Sequence, residues 1–318
     1  MNILMIRGGA LGDFMVTLPT LHLLRQRWPN AHIELLGHPH LTEVALHRYY
    51  LNGIRSVNHG PLSAFFMPRA VLDPEWMDYI GDFDLVLSYF YDPDELFLTN
   101  LRRCNPVQIL THSPRVPDGF DRPAAHHFAG ILEPLGLSLG GEAESTLHLS
   151  PEDEAGARAF LSGLRPGTRL VAVHPGSGSD IKNWPVHKWV EVGRRLIAAR
   201  PDITLLLIEG EADAIPAQAL VEAWKDLPHL RARWLPLPTL AALLRETSLF
   251  LGHDSGVTHL AAAASPTLPV LALFGPTDPA VWAPPRAGVH VLRGKPLLHE
   301  ISVEEVVEAA MAQLENRG

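Results

Sequence analysis

Short apolar runs recur along this chain, each followed by a stretch in which apolar and polar positions repeat at helical spacing. In the first half the runs Ile3–Ile6, Ile33–Leu36, Asp84–Ser88 and Val107–Leu110 predict strands, with a helix from about Phe14 to Trp28 after the first. A second series begins at Leu170–Val173 and continues through Ile203–Ile208, Arg231–Leu235, Leu249–Gly252, Val270–Phe274 and Val289–Leu292. Strands that alternate with helices predict βαβ units, and therefore parallel sheets covered by helices on both faces. The Pro-rich run Ser113–Pro123 and the stretch from Gly136 to Ser150, with Gly140 and Gly141, interrupt the pattern. An N-terminal domain over 1–150 and a C-terminal domain over 151–318 are the expected division. The last periodic segment, Val303–Leu314, is an acidic amphipathic helix with Ser302 as its expected N-cap and Glu304 and Glu305 complementing the dipole.

Composition narrows the class. At 318 residues, with 47% hydrophobic and 19% charged positions, the chain can build two soluble globular cores. No apolar stretch of membrane-spanning length escapes charge or Pro, and the strand pattern starts at Asn2 without a leader, so the cytoplasm is the expected compartment. The single Cys104 excludes an internal disulfide and a Cys-based metal cluster. Net charge is −9, and both halves are acidic: 10 Arg against 16 acids up to residue 150, then 16 basic against 19 acidic residues. That balance excludes a nucleic-acid partner as the expected one. The His38/His40 and His126/His127 pairs lack the helical spacing and partner acids of a metal site.

Three strand-to-helix turns carry the candidate chemistry. Asp254-Ser-Gly-Val-Thr-His-Leu-Ala261 follows the apolar run Leu249–Gly252, so a small-residue turn presents free backbone N–H groups at a helix start, a seat for phosphate. His174-Pro-Gly-Ser177 and Lys182-Asn-Trp184-Pro follow Leu170–Val173 in the same manner, and together the two turns suggest a diphosphate site. Arg7-Gly-Gly-Ala-Leu-Gly-Asp13 joins the first strand to the first helix, but it lacks G-x-G-x-x-G spacing and no acid closes the second strand, which argues against a dinucleotide cofactor.

Several of these residues admit a plain reading beside the chemical one. Asp13 reads equally as a helix-start cap and as a general base for an acceptor hydroxyl. Lys182 reads as a solvated lysine or as the cation that neutralises a departing diphosphate, a task otherwise given to a divalent metal. Asp254 can simply end a strand, His259 can be a packed histidine, and Trp184 and Trp282 read as core residues or site walls. Glu209, Glu211 and Asp213 are turn formers or ribose acceptors. The Asp82/Asp84 and Asp92/Asp94 pairs read as strand-opening and turn residues rather than as metal ligands.

Taken in order, these motifs resemble glycosyltransferase family 9, the ADP-heptose:lipopolysaccharide heptosyltransferases. The resemblance runs from Leu11-Gly-Asp13 and Pro19 through the His174 and Lys182 motifs and Gly210-x-x-Asp213. It continues through the Asp254 motif to Phe274-Gly-Pro-Thr-Asp-Pro279, Trp282 and Pro284. It implies an α/β protein of GT-B fold, two Rossmann-like domains facing across a cleft, with acceptor held by the first and nucleotide-sugar by the second. It further implies inversion at the anomeric carbon, with no cofactor and no metal. Carried over by position, Asp13 is the base and Lys182 the diphosphate contact. Ser177, Ser255, Gly256, Thr258 and His259 hold phosphates, Asp254 binds sugar hydroxyls, and Asp213, with Glu211 second, meets the ribose.

The implied partners are ADP-heptose and a saccharide or glycolipid acceptor, with a peripheral contact at the cytoplasmic face of the inner membrane through Pro61–Pro68 as a further expectation. The acceptor side departs from that picture. The first half has no Lys, and only Arg55 and Arg69 lie between 55 and 72, where an anionic lipid-linked sugar would be gripped. A nucleotide-sugar epimerase of GT-B architecture and a non-catalytic nucleotide-sugar binder are the alternatives.

Overall fold

The computed structural model describes residues 1–315 apart from Glu142, Glu211, Ala212, Lys295 and Pro296. The chain forms two compact units, Met1–Ala143 and Glu144–Gly318. Strands β1 (Asn2–Ile6), β2 (His32–Gly37), β3 (Gly53–Ser56), β4 (Leu85–Ser88) and β5 (Gln108–Thr111) build the first sheet, in the order β3-β2-β1-β4-β5. In the second, β6 (Arg169–Val173), β7 (Ile203–Glu209), β8 (His229–Arg233), β9 (Leu249–His253), β10 (Val270–Phe274) and β11 (Val289–Arg293) run β11-β10-β9-β6-β7-β8. Every pairing given for these strands is parallel.

Parallel strands covered on both faces call for apolar residues at successive positions: β4, β9 and β10 are buried throughout, and only their end residues Ser88 and His253 are polar. One face of the second sheet is filled by Trp184, Trp189, Trp224 and the inward side of Val303–Glu315. The first is packed by Leu62, Phe65, Trp76, Phe97 and Leu101. Ser302 caps the final helix as expected: its hydroxyl accepts the Glu305 N–H at 3.2 Å, and the Glu305 carboxylate accepts the Ser302 N–H at 2.7 Å.

Three local readings change. The helix expected over 14–28 is two helices, Leu11–Met15 and Leu18–Arg27. Pro19, near the start of the second, supplies no N–H, and the Thr17 hydroxyl donates to the Asp13 carbonyl at 2.7 Å. Strand β3 has no apolar run; it is a half-buried edge strand whose Ile54 lies beside Leu35. The boundary falls after Ala143 rather than at 150, because the Leu147 N–H donates to the Ala263 carbonyl at 2.9 Å and ties the preceding segment to the second unit.

In each sheet the strand order reverses once, between β1 and β4 in the first and between β9 and β6 in the second. Chains leaving such strands turn away in opposite directions and open a crevice at their carboxyl ends. The Arg7–Asp13 turn follows β1, and the His174 and Asp254 turns follow β6 and β9. Among the described residues no helix is long and apolar enough to cross a membrane.

Candidate active site

In the second unit, β9 ends at His253 and the next helix, Gly256–Ala264, starts on Ser255. Ser255 is extended, with φ −151° and ψ 163°, and its hydroxyl accepts the Thr258 N–H. The Thr258 hydroxyl donates back to the His253 carbonyl. These two side-chain bonds shape the turn and occupy the Thr258 N–H, which leaves the Gly256 and Val257 N–H groups, at the start of a nine-residue helix, to meet a ligand. Thr258 and His259 are themselves buried on that helix.

Asp254 stands at the centre. Its Oδ2 accepts from Lys182 Nζ at 2.6 Å and from the Thr277 hydroxyl at 2.6 Å. Lys182 is therefore not a freely solvated lysine: a carboxylate buried to 9% exposure fixes its ammonium in place. An ammonium has three N–H donors, so pairing with Asp254 leaves capacity for a further anion.

Ser177 is buried; its hydroxyl lies 2.8 Å from the Ser179 carbonyl and 2.9 Å from the Asn183 amide oxygen. It shapes the loop that carries Lys182. Asp213 behaves in the same way. It is 4% exposed, accepts from His174 Nε2 at 2.7 Å and from the Gly210 N–H at 3.1 Å, and lies so close to Gly176 that any side chain there would collide with it. Burial works against its charge, but His174 and the Gly210 N–H outweigh burial and hold its carboxyl below the usual range. His174 Nδ1 faces the Ser255 hydroxyl at 3.4 Å, so Asp213, His174 and Ser255 link three loops in one chain of polar contacts.

The neighbouring acid Glu209 is 2% exposed and pairs with Arg231 at 2.6 Å and Arg233 at 3.2 Å, which removes it as a ribose acceptor. Glu211 lies outside the described residues. Trp184 is core: its indole N–H donates to the Ile301 carbonyl at 3.1 Å.

Sequence reasoning missed His253. It is fully buried, accepts the Trp184 N–H on Nε2 at 2.9 Å, and therefore carries its proton on Nδ1, toward the Gly176 carbonyl. Burial first, then neighbouring His174, pushes its pKa down to about 3. Its position between the apolar run Leu249–Gly252 and Asp254 was the available signal.

In the first unit, Gly9 adopts φ +96° and its missing Cβ makes room for the Asp13 carboxylate. Asp13 Oδ2 accepts the Ala10 N–H at 2.9 Å, which is the capping role. Its side chain remains 36% exposed, so capping leaves the carboxylate accessible. Oδ1 receives Arg7 Nη2 at 3.1 Å. Sequence reading gave Arg7 no role, yet it is 4% exposed, with its guanidinium 4.4 Å over the Phe128 ring and 5.4 Å over the Tyr89 ring. Burial lowers its pKa, opposed by Asp13 and then Tyr89. A cation stripped of water beside one carboxylate restricts that carboxylate's orientation.

In each of the two acid pairs one carboxylate has a structural role. Asp84 accepts the Asn2 N–H at 2.7 Å, and Asp92 accepts from Phe97 N at 3.0 Å and Leu98 N at 2.8 Å. Among the described residues no group of three or more His, Cys, Asp or Glu is placed to hold a metal ion.

The model of glycosyltransferase family 9 (heptosyltransferase) matches residues 100–308. The chain belongs to glycosyltransferase family 9. Lipopolysaccharide heptosyltransferase 3 of Escherichia coli K12 is 24% identical over 291 residues, covering 86% of this chain and 82% of that protein. A family 9 glycosyltransferase structure from Veillonella parvula superimposes with a TM-score of 0.82 at 23% identity, covering 99% and 97% of the two chains. The E. coli ADP-heptose lps heptosyltransferase II structure gives 0.80 at 18% identity over 100% and 99%. The protein is a glycosyltransferase of the heptosyltransferase family, with the GT-B fold, and the motif-based resemblance stands.

Proposed function

We propose that this family 9 glycosyltransferase transfers heptose from ADP-heptose to a saccharide acceptor, with inversion and without a metal ion. The observation that carries the reading is the Lys182–Asp254–Thr277 cluster beside the Gly256–Ala264 helix start, because it combines a fixed ammonium with outward backbone N–H groups. Support for the donor comes from the name of the structural relative, ADP-heptose lps heptosyltransferase II.

In this reading the diphosphate lies on the first-turn N–H groups after Ser255, with Lys182 Nζ against it. As the bond from the anomeric carbon to the diphosphate oxygen breaks, negative charge grows on that oxygen, and a pre-placed ammonium stabilises it without rearrangement. Asp254 orients Lys182, and Thr277 orients Asp254. Ser177 and Asp213 act through the loops they shape, so the ribose contact expected of Asp213 becomes indirect. Inversion requires the acceptor oxygen to arrive opposite the leaving group. Asp13 of the first unit takes the proton of that hydroxyl, and Arg7 holds the carboxylate for it. The sugar passes through an oxocarbenium-like transition state.

The assigned site is cytoplasmic. A peripheral membrane contact is supported by exposed Phe66, Met67 and Val71 beside exposed Arg69, Arg102 and Arg103. The test is turnover of ADP-heptose with a heptose-terminated oligosaccharide in excess EDTA, reading ADP release and the anomeric configuration of the product by NMR. Inverted product in EDTA is expected. Retained configuration, or activity abolished by EDTA and restored by a divalent ion, overturns the mechanism. Conversion of the donor without acceptor moves the assignment to the epimerase.

A further inference from the structure

The carboxyl edge of the first sheet holds two cavities that the donor chemistry does not use. One, of about 470 Å³, is walled by the segments after β4 and β5, including Ser88, Phe90, Tyr91, Glu95 and His112. The other, of about 330 Å³, lies at the end of β3 against His59, Phe66 and the same Phe90. Both volumes fall within the range of small-molecule sites, about 300–1,000 Å³. Phe90 separates the cavities and abuts the turn that presents Asp13: a Cβ added at Gly8 would lie 3.6 Å from its ring. The larger cavity lies at the carboxyl ends of β4 and β5, one strand along from the point where strand order reverses between β1 and β4.

Charge in the larger cavity is one-sided. Its lining contains the carboxylates of Asp92 and Glu95 and no Lys or Arg among the described residues. The helix beginning at Leu96 could have offered N–H groups to an anion, but Asp92 already accepts from Phe97 N and Leu98 N. A phosphate or carboxylate there would meet Asp92 where it needed donors. Burial first, then His127, lowers the pKa of His112, which disfavours the positively charged form of this imidazole. At the rim the Arg115 guanidinium is stacked 4.9 Å over the Tyr91 ring. Aromatic faces, hydroxyls and carboxylate acceptors suit the C–H face and hydroxyls of an uncharged sugar.

We propose that the cavity between Tyr91 and His112 is the acceptor subsite, and that it selects an uncharged sugar ring against a phosphorylated or carboxylated one. This inference rests on the transferase reading and adds the chemical class of its acceptor. Like-charge repulsion from half-buried Asp92 and exposed Glu95 disfavours the anionic form. The aromatic pair Phe90 and Tyr91 holds the ring beside the Asp13 turn.

The test is calorimetric titration of the full-length protein with methyl heptoside and with its 4-phosphate, ADP being present, and a separate titration with ADP alone. The neutral glycoside is expected to bind at least tenfold more tightly than the phosphate. Tyr91→Ala, at a position 60% exposed, is expected to weaken the neutral ligand at least fivefold, and Glu95→Lys to narrow the preference to threefold or less. Equal or tighter binding of the phosphate, no binding of either glycoside, or indifference to both substitutions overturns the proposal. Absent ADP binding with the sugar preference intact would instead remove the donor reading and leave this subsite standing.

Discussion

The two units present their candidate chemistry in opposite ways. In the first, Asp13 is one partly exposed carboxylate held by an adjacent N–H and a single buried guanidinium. In the second, Asp213, His174 and Ser255 are linked across loops, as are Asp254 and Thr277, Ser177 bonds within its own loop, and most of these residues are buried. A group that must accept a proton from substrate has to stay accessible. Groups that must present backbone N–H donors in fixed directions serve better as scaffold. Much of what the second unit's motifs encode is therefore the shape of three loops, with Lys182 as the principal charged contribution.

Substitutions at the two units should separate these roles. Asp13→Asn keeps the shape and one acceptor oxygen but removes the base; kcat should fall by about 10²–10⁴, measured as acceptor-dependent ADP release. Lys182→Met should lower kcat/KM by about 10²–10³. It should also reduce stability by about 1–3 kcal/mol, read from urea unfolding, because Asp254 then keeps only the Thr277 hydroxyl. A solvated lysine would show neither effect.

His253 sharpens the scaffold side. Its pKa is about 3 in the native state, against an ordinary value near 6.5, so below pH 6.5 the unfolded chain binds a proton that the native chain refuses. Stability from this group is complete above pH 6.5 and is lost as pH falls toward 3. Denaturant unfolding at pH 7 and pH 5 should show the wild type losing up to about 1.4 kcal/mol per pH unit more than His253→Gln. At the small end, Gly176→Ala pushes against the Asp213 carboxylate and should cost about 1–3 kcal/mol, with weaker donor binding and little change in kcat.

The sheets were legible because strands buried on both faces are apolar at successive positions, as β10 is throughout and β9 is up to His253. β3 was not, since an edge strand escapes that requirement. The break at Val16–Thr17 was hidden because two consecutive helices share one apolar period, and only Pro19 marked it. Candidate site residues on Gly-rich turns were visible because a proposed phosphate seat calls for small residues. Their partners were not, because pairing between residues far apart in sequence, such as Lys182 with Asp254 and Thr277, or Asp213 with His174, leaves no local pattern. Arg7 and His253 were hidden for a related reason: each sits at a strand end, where the reading assigns packing, and each owes its role to what is folded over it.

The division of labour is tested most directly by measuring donor affinity, with ADP-heptose in a calorimeter, for wild type, Asp13→Asn and Lys182→Met in parallel. The account predicts that the Asp13 variant binds donor within about twofold of wild type despite its lost turnover, while the Lys182 variant binds at least tenfold more weakly. Donor affinity that collapses with Asp13, or survives without Lys182, would contradict it.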